Sequence, residues 1–477
     1  MTQPQNNSIL SLSWAPALIG FMGMICAANL TVAQQSELSP YSRFGFGLVN
    51  QLQVPVYAGL GGMETTLFSG YQFQPNNPAS ATFLSQTTFQ ASGIGSRLSL
   101  EQGDNPRATT SFGSPGPMGI VMKRQSGENA LILNLSPYSG AGYVITRNSE
   151  QPNIGSVQER YEGGGGLNNL NLGWAHVSKG SRYVKAGPND SLLVQNGALH
   201  MGIQTQYLFG QLNRSSTLDI IDPTFLDHRN LFTAQHRSIS ATAGIVYDKL
   251  LSARYTALKN FEQSYSIRFG ATYTPETNLH STIQSLDETT QNLGGISVGL
   301  DTAFYSERTD FRGRMPQSYA LGSSLHFDRA DGLRWALGIE YKSTRWDQVS
   351  DSFAPEMQSQ GVDWVQASSY RFGFQFNLGN PEQRHPTWGK ATYRLGLCQQ
   401  LQPYEIDGNQ VLNQSFSGGM TIPLIGSRSL SRIHFGTELG ERTTTEGALE
   451  DRYLRIHFGV SLMPFFKNNW LIPRLYD

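Results

Sequence analysis

The sequence predicts an all-β fold, an antiparallel transmembrane β-barrel of about fourteen strands with an N-terminal hatch inside its lumen. Three observations predict it. Short segments alternate between apolar and polar residues along the whole chain, the period of two that marks a strand. Charged residues are only 15% of the 477, and few fall on the apolar faces of those segments. The one long apolar run, residues 10–28, sits where an export signal belongs.

The alternation is clearest in the last segment. Leu454, Ile456, Phe458, Val460 and Leu462 share one face, and Tyr453, Arg455, His457, Gly459 and Ser461 share the other. The same split recurs with Leu333, Trp335, Leu337, Ile339 and Tyr341, and with Tyr370, Phe372, Phe374 and Phe376. Weaker copies run through Tyr265 to Tyr273, Leu199 to Tyr207, Tyr393 to Leu397 and Ile433 to Leu439. A soluble sandwich also alternates, but it buries its apolar face and wets the polar one. An exported N-terminus, segments long enough for tilted membrane strands and a nearly uncharged apolar face decide for lipid outside and water inside. The rhythm weakens near residues 86–100 and 157–162, which leaves the strand count between about fourteen and sixteen.

The first 33 residues carry no Asp, Glu, Lys or Arg. Thr31, Val32 and Ala33 place small residues before Gln34 as signal peptidase requires, and Pro16, Gly20 and Gly23 interrupt the apolar run, so a cleaved signal peptide at 1–33 is expected rather than an anchor. The usual basic start is missing. Ile25 is too bulky before Cys26 for lipid modification. After cleavage Cys398 is the only cysteine, which excludes an internal disulfide and a cysteine-based zinc cluster.

Composition also limits function. A net charge of -1 supplies no basic field for nucleic acid. No local signature of a nucleophile with a positioned histidine appears, so an enzyme is not expected, and nothing calls for a cofactor or metal. His434 and His457, beside Arg432 and Arg455, read as solvated luminal side chains. Glu340 and Glu438, with Arg334, Arg371, Arg394 and Arg455, read as a hydrated mixed-charge lumen. The run 163–166 is four glycines without the Lys-Ser or Lys-Thr of a phosphate loop, and reads as a flexible strand junction.

Connection lengths set a direction, because such barrels have short periplasmic turns and longer outside loops. The turns at 328–332 and 424–428 are short, and the loops at 347–363 and 442–450 are longer, so the final strand descends to the periplasm. A loop is also expected around 405–410. Glycine occupies the wet face repeatedly, at Gly173, Gly270, Gly373, Gly436 and Gly459. Two readings stay open: relief of strain where strands coil, or room for a luminal plug.

Residues 39–84 lack strand alternation and are dense in Gly, Pro and Asn, which suits a compact irregular plug. Here the chain resembles a known family. A Gly-Gly segment followed by Asn77, Pro78 and Ala79 is similar to the hatch of the FadL-type outer-membrane transporters of long-chain fatty acids and other hydrophobic compounds. The opening SPYSRFGFG and the closing WLIPRLYD resemble FadL-like proteins of bacteria that use type IX secretion, and YTPETNLHST at 273–282 looks like a FadL-type turn. The resemblance implies a multi-pass barrel in the bacterial outer membrane, touching its lipid. Together with the leader pattern and the composition, it implies four parts: signal 1–33, hatch 34–85, barrel 86–466 and periplasmic tail 467–477. It also implies one of two roles. Passage of a hydrophobic small molecule calls for a greasy pocket between hatch and wall. A structural or accessory barrel, partnered with a secretion-system protein, calls for a filled lumen.

Overall fold

The computed structural model describes residues 39–463, apart from 50–52, 104–105, 124–126, 153, 188–189, 221, 223, 257–259, 294–295, 350–356, 358–360, 380–386, 425–429 and 445–448. The expected leader at 1–33, its Cys26, and the expected tail at 467–477 lie outside the described residues, as do parts of the 347–363 and 442–450 loops and most of the 424–428 turn.

One antiparallel sheet closes on itself. Its staves are β1 (Thr88–Glu101), β2 (Ala108–Pro115, continuing as Met118–Lys123), β3 (Asn129–Gln151), β4 (Gly155–Gly187), β5 (Asp190–Ile220), β6 (Asp227–Tyr255) and β7 (Phe261–Thr274 with Thr277–Leu293). The second half is β8 (Ile296–Met315 with Ser318–Arg329), β9 (Arg334–Thr344), β10 (Val362–Trp364 with Ala367–Asn377), β11 (Thr392–Ile406), β12 (Asn409–Pro423), β13 (Arg432–Thr443) and β14 (Glu450–Leu462). β14 pairs with β1 from Glu450↔Glu101 to Leu462↔Phe89, which closes a fourteen-stave ring and leaves no terminal edge to the sheet. We call the end where β1 starts and β14 finishes the lower end.

The alternation read from the sequence becomes two faces. Leu337, Ile339, Phe372, Leu397, Phe416, Leu439, Ile456 and Phe458 are exposed on the outside, and the residues between them point inward. Aromatic side chains edge this band. Tyr265, Phe327 and Trp335 form a lower row with ring centroids 4.8 and 5.6 Å apart, and Tyr319, Tyr341 and Tyr370 an upper row at 6.3 and 5.1 Å. From Trp335 to Tyr341 the strand climbs roughly 20 Å at about 3.3 Å per residue, close to the height of a lipid-facing belt.

The staves are unequal. β9 has 11 residues, enough for one tilted crossing, whereas β4 has 33 and β5 has 31. Tyr161 on β4 is exposed and Arg160 pairs there with Glu162, a polar surface that suits water above the belt.

Several expectations need correction. YTPETNLHST is no turn: Pro275 and Glu276 interrupt β7 in mid-wall, beside Pro316 and Gln317 in β8, with Thr277↔Met315 and Thr274↔Ser318 paired on either side. Proline donates no hydrogen bond, so placing two such breaks side by side confines the loss to one level of the ladder. The glycines at 163–166 lie inside continuous β4, where a side chain at Gly163 would strike the Tyr143 ring and Gly165 has φ +108°. The loop expected at 405–410 is a two-residue hairpin, Asp407 and Gly408, both with positive φ as a type I′ turn demands.

Candidate functional site

The site is the interior, and residues 39–84 build it. They touch inward faces on both sides of the ring: Ser42 Oγ donates to Gly142 O of β3 and Gly61 N to Ser417 Oγ of β12. On the inside of β6, the Phe46 ring lies edge-on to His236. Only short elements form within the segment: 3-10 turns at Pro40–Arg43 and Pro78–Phe83, a strand Leu48–Val49 and one helical turn Pro55–Ala58. A proline opens each turn, where its missing N–H goes unneeded. The segment enters at the upper end, where Ser39 Oγ donates to Asp451 at 2.6 Å, and leaves at the lower end, where Lys123 donates to Thr82 O and Leu84 O.

Glycine explains how an irregular chain fits so closely. A Cβ on Gly202 would come 2.6 Å from Ala79 N; on Gly244, 2.2 Å from Asn77 Oδ1; on Gly270, 2.1 Å from Thr65 O; on Gly322, 2.2 Å from Thr65 Oγ1. Continuing round the wall, Gly338 and Gly373 meet Met63 at 2.9 and 2.6 Å, Gly396 meets Gly61 N at 2.1 Å, Gly419 meets Gly59 Cα at 3.1 Å, and Gly436 and Gly459 meet Pro55 at 2.8 and 3.0 Å. Each stave from β5 to β14 contributes one such glycine, and none of them has positive φ. Space, not conformation, requires them, which decides the choice left open by the sequence. Gly173 differs, because its neighbours are Gln204 and Ile203 of the adjoining stave.

An ion-pair cluster fastens the middle of the segment. Glu64 is the only acidic residue between 39 and 84. It lies 2% exposed, with Lys342 Nζ at 2.9 Å and Arg371 Nη1 at 3.2 Å. The Glu340 carboxylate accepts from Glu64 N, Thr65 N and Thr65 Oγ1 at 2.8, 2.8 and 2.6 Å, and Arg371 donates to Glu340 and to Gly62 O. Burial alone would raise the Glu64 pKa, but the Lys342 and Arg371 cations and the Lys342 and Asn76 hydrogen bonds pull it down to about 2. Glu340 and Arg371 were visible as inward residues; Glu64 and Lys342 were not singled out. The one acid in a stretch whose only other charge is Arg43 was the signal for the first.

Asn77, Pro78 and Ala79 sit beside this cluster. Asn77 Nδ2 donates to Glu64 O, and its Oδ1 accepts from Ala79 N, capping the 3-10 turn that Pro78 opens. Gln204 of β5 donates to Pro75 O.

The interior is not hydrated as the sequence suggested. Arg371 and Arg455 are 5% and 3% exposed, and Arg394 is buried. His434 is buried between Thr421 Oγ1 and Ser461 Oγ, and His457 faces Gln53 O and Glu438. Arg334 belongs to the lower rim, paired with Asp328. The segment takes the space of that water: Arg371 pairs with Glu340 and Arg455 with Glu438, while Arg394 donates to the Thr421 hydroxyl. The upper mouth is closed by a second, apolar cluster in which Phe46 packs on Trp346 and Trp364, whose rings stack at 4.9 Å.

Cavities of about 60 and 100 Å³ lie between segment and wall, with Lys342 lining both, Arg371 and Glu438 in one and Glu64 and Asn76 in the other. The large greasy cavity, about 1360 Å³, is lined by outward residues such as Ile339, Phe372 and Leu397. Where the glycines let the wall come in against the segment, the outside becomes concave.

Among solved structures the chain is similar to the Ralstonia pickettii toluene transporter TbuX (13% identity, 87% of this chain and 100% of that one, TM-score 0.47), a Pseudomonas aeruginosa FadL homologue (12%, 87% and 98%, 0.47) and the monoaromatic hydrocarbon channel CymD (11%, 86% and 97%, 0.45). No curated protein matches it. One family model matches nearly the whole length, residues 18–477, and the chain belongs to that family, BamG.

Proposed function

We propose that this chain is an outer-membrane barrel with a closed lumen, which acts by docking a protein partner and not by passing a solute. The filled interior carries the reading. Ligand pockets run to about 300 Å³ and more and are mostly apolar. Spaces of about 60 and 100 Å³ edged by Lys342, Arg371 and Glu64 hold a few waters at most. Residues 39–84 would then be a permanent core. The long connection at 345–361 supports reading the upper end as outside the cell and the lower end as facing the periplasm.

A second reading is passage of a hydrophobic small molecule, with residues 39–84 as a hatch. One observation favours it: the wall has a notch, because the Ala108–Pro115 part of β2 pairs with β1 and not with β3. A solute leaving sideways would use it. Passage requires the Glu64 cluster to open. Native mass spectrometry of the purified barrel separates the two: a bound protein and an empty lumen support docking, whereas a stoichiometric hydrophobic ligand with no protein overturns it.

A further inference from the structure

The notch has a strand edge, and that edge is the starting point. β2 breaks at Pro115, Gly116 and Pro117. Below the break, Met118–Lys123 pairs with β3 in full register, Met118↔Leu135 to Lys123↔Ala130. Above it, Ala108–Pro115 pairs with β1 only, Gly93↔Pro115 to Leu100↔Ala108. On the other side of the gap, Gly140 and Ser139 of β3 pair with Leu48 and Val49 of the luminal segment. Among the described residues nothing hydrogen-bonds the second edge of Ala108–Pro115.

Register gives the depth of this edge. Leu454, Ile456 and Phe458 of β14 belong to the exposed apolar band, and they pair with Arg97, Gly95 and Gly93, which pair in turn with Ser111, Gly113 and Pro115. The free edge therefore lies at the level of the lipid belt. Hydrocarbon offers no hydrogen bonds, so an open strand edge is not left against lipid.

Side chains on the same surface point the same way. Above Phe89 at the lower rim, the outward residues of β1 and upper β2 along the lipid belt are Ala91, Gly93, Gly95, Arg97 and Ser99, then Thr109, Ser111, Gly113 and Pro115. No Leu, Ile or Phe stands among them. A Cβ on Gly95 would meet nothing within 4 Å, and on Gly93 or Gly113 only an ordinary contact at 3.7 Å, and none of the three has positive φ. These glycines are unlike the inward ones: the chain's own packing does not need them. Arg97 is exposed at this level, where a bare cation facing lipid is disfavoured.

We infer that the β1–β2 face and the free edge of β2 are a docking surface for a membrane-embedded β-strand of another outer-membrane protein. That strand adds to Ala108–Pro115, its backbone passes close over the glycines, and an acidic side chain on it meets Arg97. A second copy of this chain fits less well. Its β2 would run in the same direction through the membrane and could pair with this one only in parallel, whereas all the wall pairs here are antiparallel. The inference rests on the docking reading of the barrel and adds where the partner sits.

The test uses the full-length protein in native outer membranes. p-Benzoylphenylalanine replaces Ser111 on the proposed surface or Ile339 on β9, seven staves round the ring, and cross-linked peptides are mapped after irradiation. The expected result is a cross-link from position 111 into a transmembrane strand of a different barrel protein, and none from 339. Gly95→Leu, Gly113→Leu and Arg97→Glu should each lower that cross-link by about tenfold or more. Heat-modifiable mobility on gels, showing a folded barrel, should be unchanged. Cross-links from 339 but not 111 would overturn this surface and leave docking standing; absence of any cross-linked protein from either position would remove both. Lipid alone, or a second copy, captured at 111 also overturns the inference, as do folded leucine and glutamate variants that keep the full cross-link.

Discussion

Gly396 and Gly95 are chemically the same residue in neighbouring parts of one wall, yet they should respond oppositely to a side chain. Gly396→Val places its Cβ about where Gly61 N stands, at 2.1 Å, so the segment or the stave must move, at a cost of about 1–3 kcal/mol or more. Gly95→Val meets open space and should leave stability unchanged. Denaturant midpoints of the two purified variants check this, and equal midpoints would refute the packing account. Glu64 gives a pH dependence of definite sign. Its folded pKa, about 2, lies below the ordinary 4.5, so its stabilisation is complete above 4.5 and fades as pH falls from there toward 2. Pepsin should therefore cut residues 39–84 increasingly across that interval, and Glu64→Gln should flatten the trend. The alternation had marked Glu340 and Arg371 as inward; their partner Glu64 sits in an aperiodic segment, where no face can be assigned from spacing.

Strands were legible because lipid outside and a filled lumen inside impose opposite chemistry on successive residues. Leu337 and Phe374 are paired across β9 and β10 in the middle of the outward band. Arginine at either position should cost roughly 2–4 kcal/mol at the midplane. At Gly338, next along the chain, it would instead drive into Met63 and Leu67, so loss there should appear as release of the segment to protease and not as failure of the wall. Equal protease resistance in both variants would count against this division of faces. The breaks in β7 and β8 were not legible. Proline beside a polar residue reads as a turn unless the neighbouring stave is known to break at the same level, and that information lies about 40 residues away in the chain. For the same reason Asp407 and Gly408 read as part of a loop: hairpin length depends on where two strands finish, which composition does not fix.

At the scale of the molecule, topology and closure are both measurable. Gln102, in the upper connection between β1 and β2, should be labelled on intact cells as Gln102→Cys, and Asp331→Cys at the lower end should not; the reverse would invert the barrel. In planar bilayers the intact protein should conduct no ions, and removal of residues 39–84 should open a steady pore. The fourteen-stave estimate needed only the rhythm of the chain. What the rhythm could not convey is the dryness of the interior: inward Arg, Glu and His are the same letters whether water or a plug solvates them. The four-part division also rested on composition, and its outer boundaries fall beyond the residues described.

The path of residues 39–84 constrains the order in which the molecule can be made. The segment begins against Asp451 of the last stave and ends against Lys123 of the second, so it spans the ring from mouth to base before the wall is complete. Ser39 and Asp451 are 412 residues apart, and their contact waits on the same event that joins β14 to β1. With the glycines of β5 to β14 pressed on the segment, a closed ring leaves no room to thread a chain through afterwards. The wall must therefore be laid around its core, and a segment that precedes every stave in the chain acts as the form on which β14 is fitted. Such long-range dependence is slow. A preformed ring lacking residues 39–84 should fail to take them up when they are supplied as a separate peptide, while refolding the two together should restore the closed barrel.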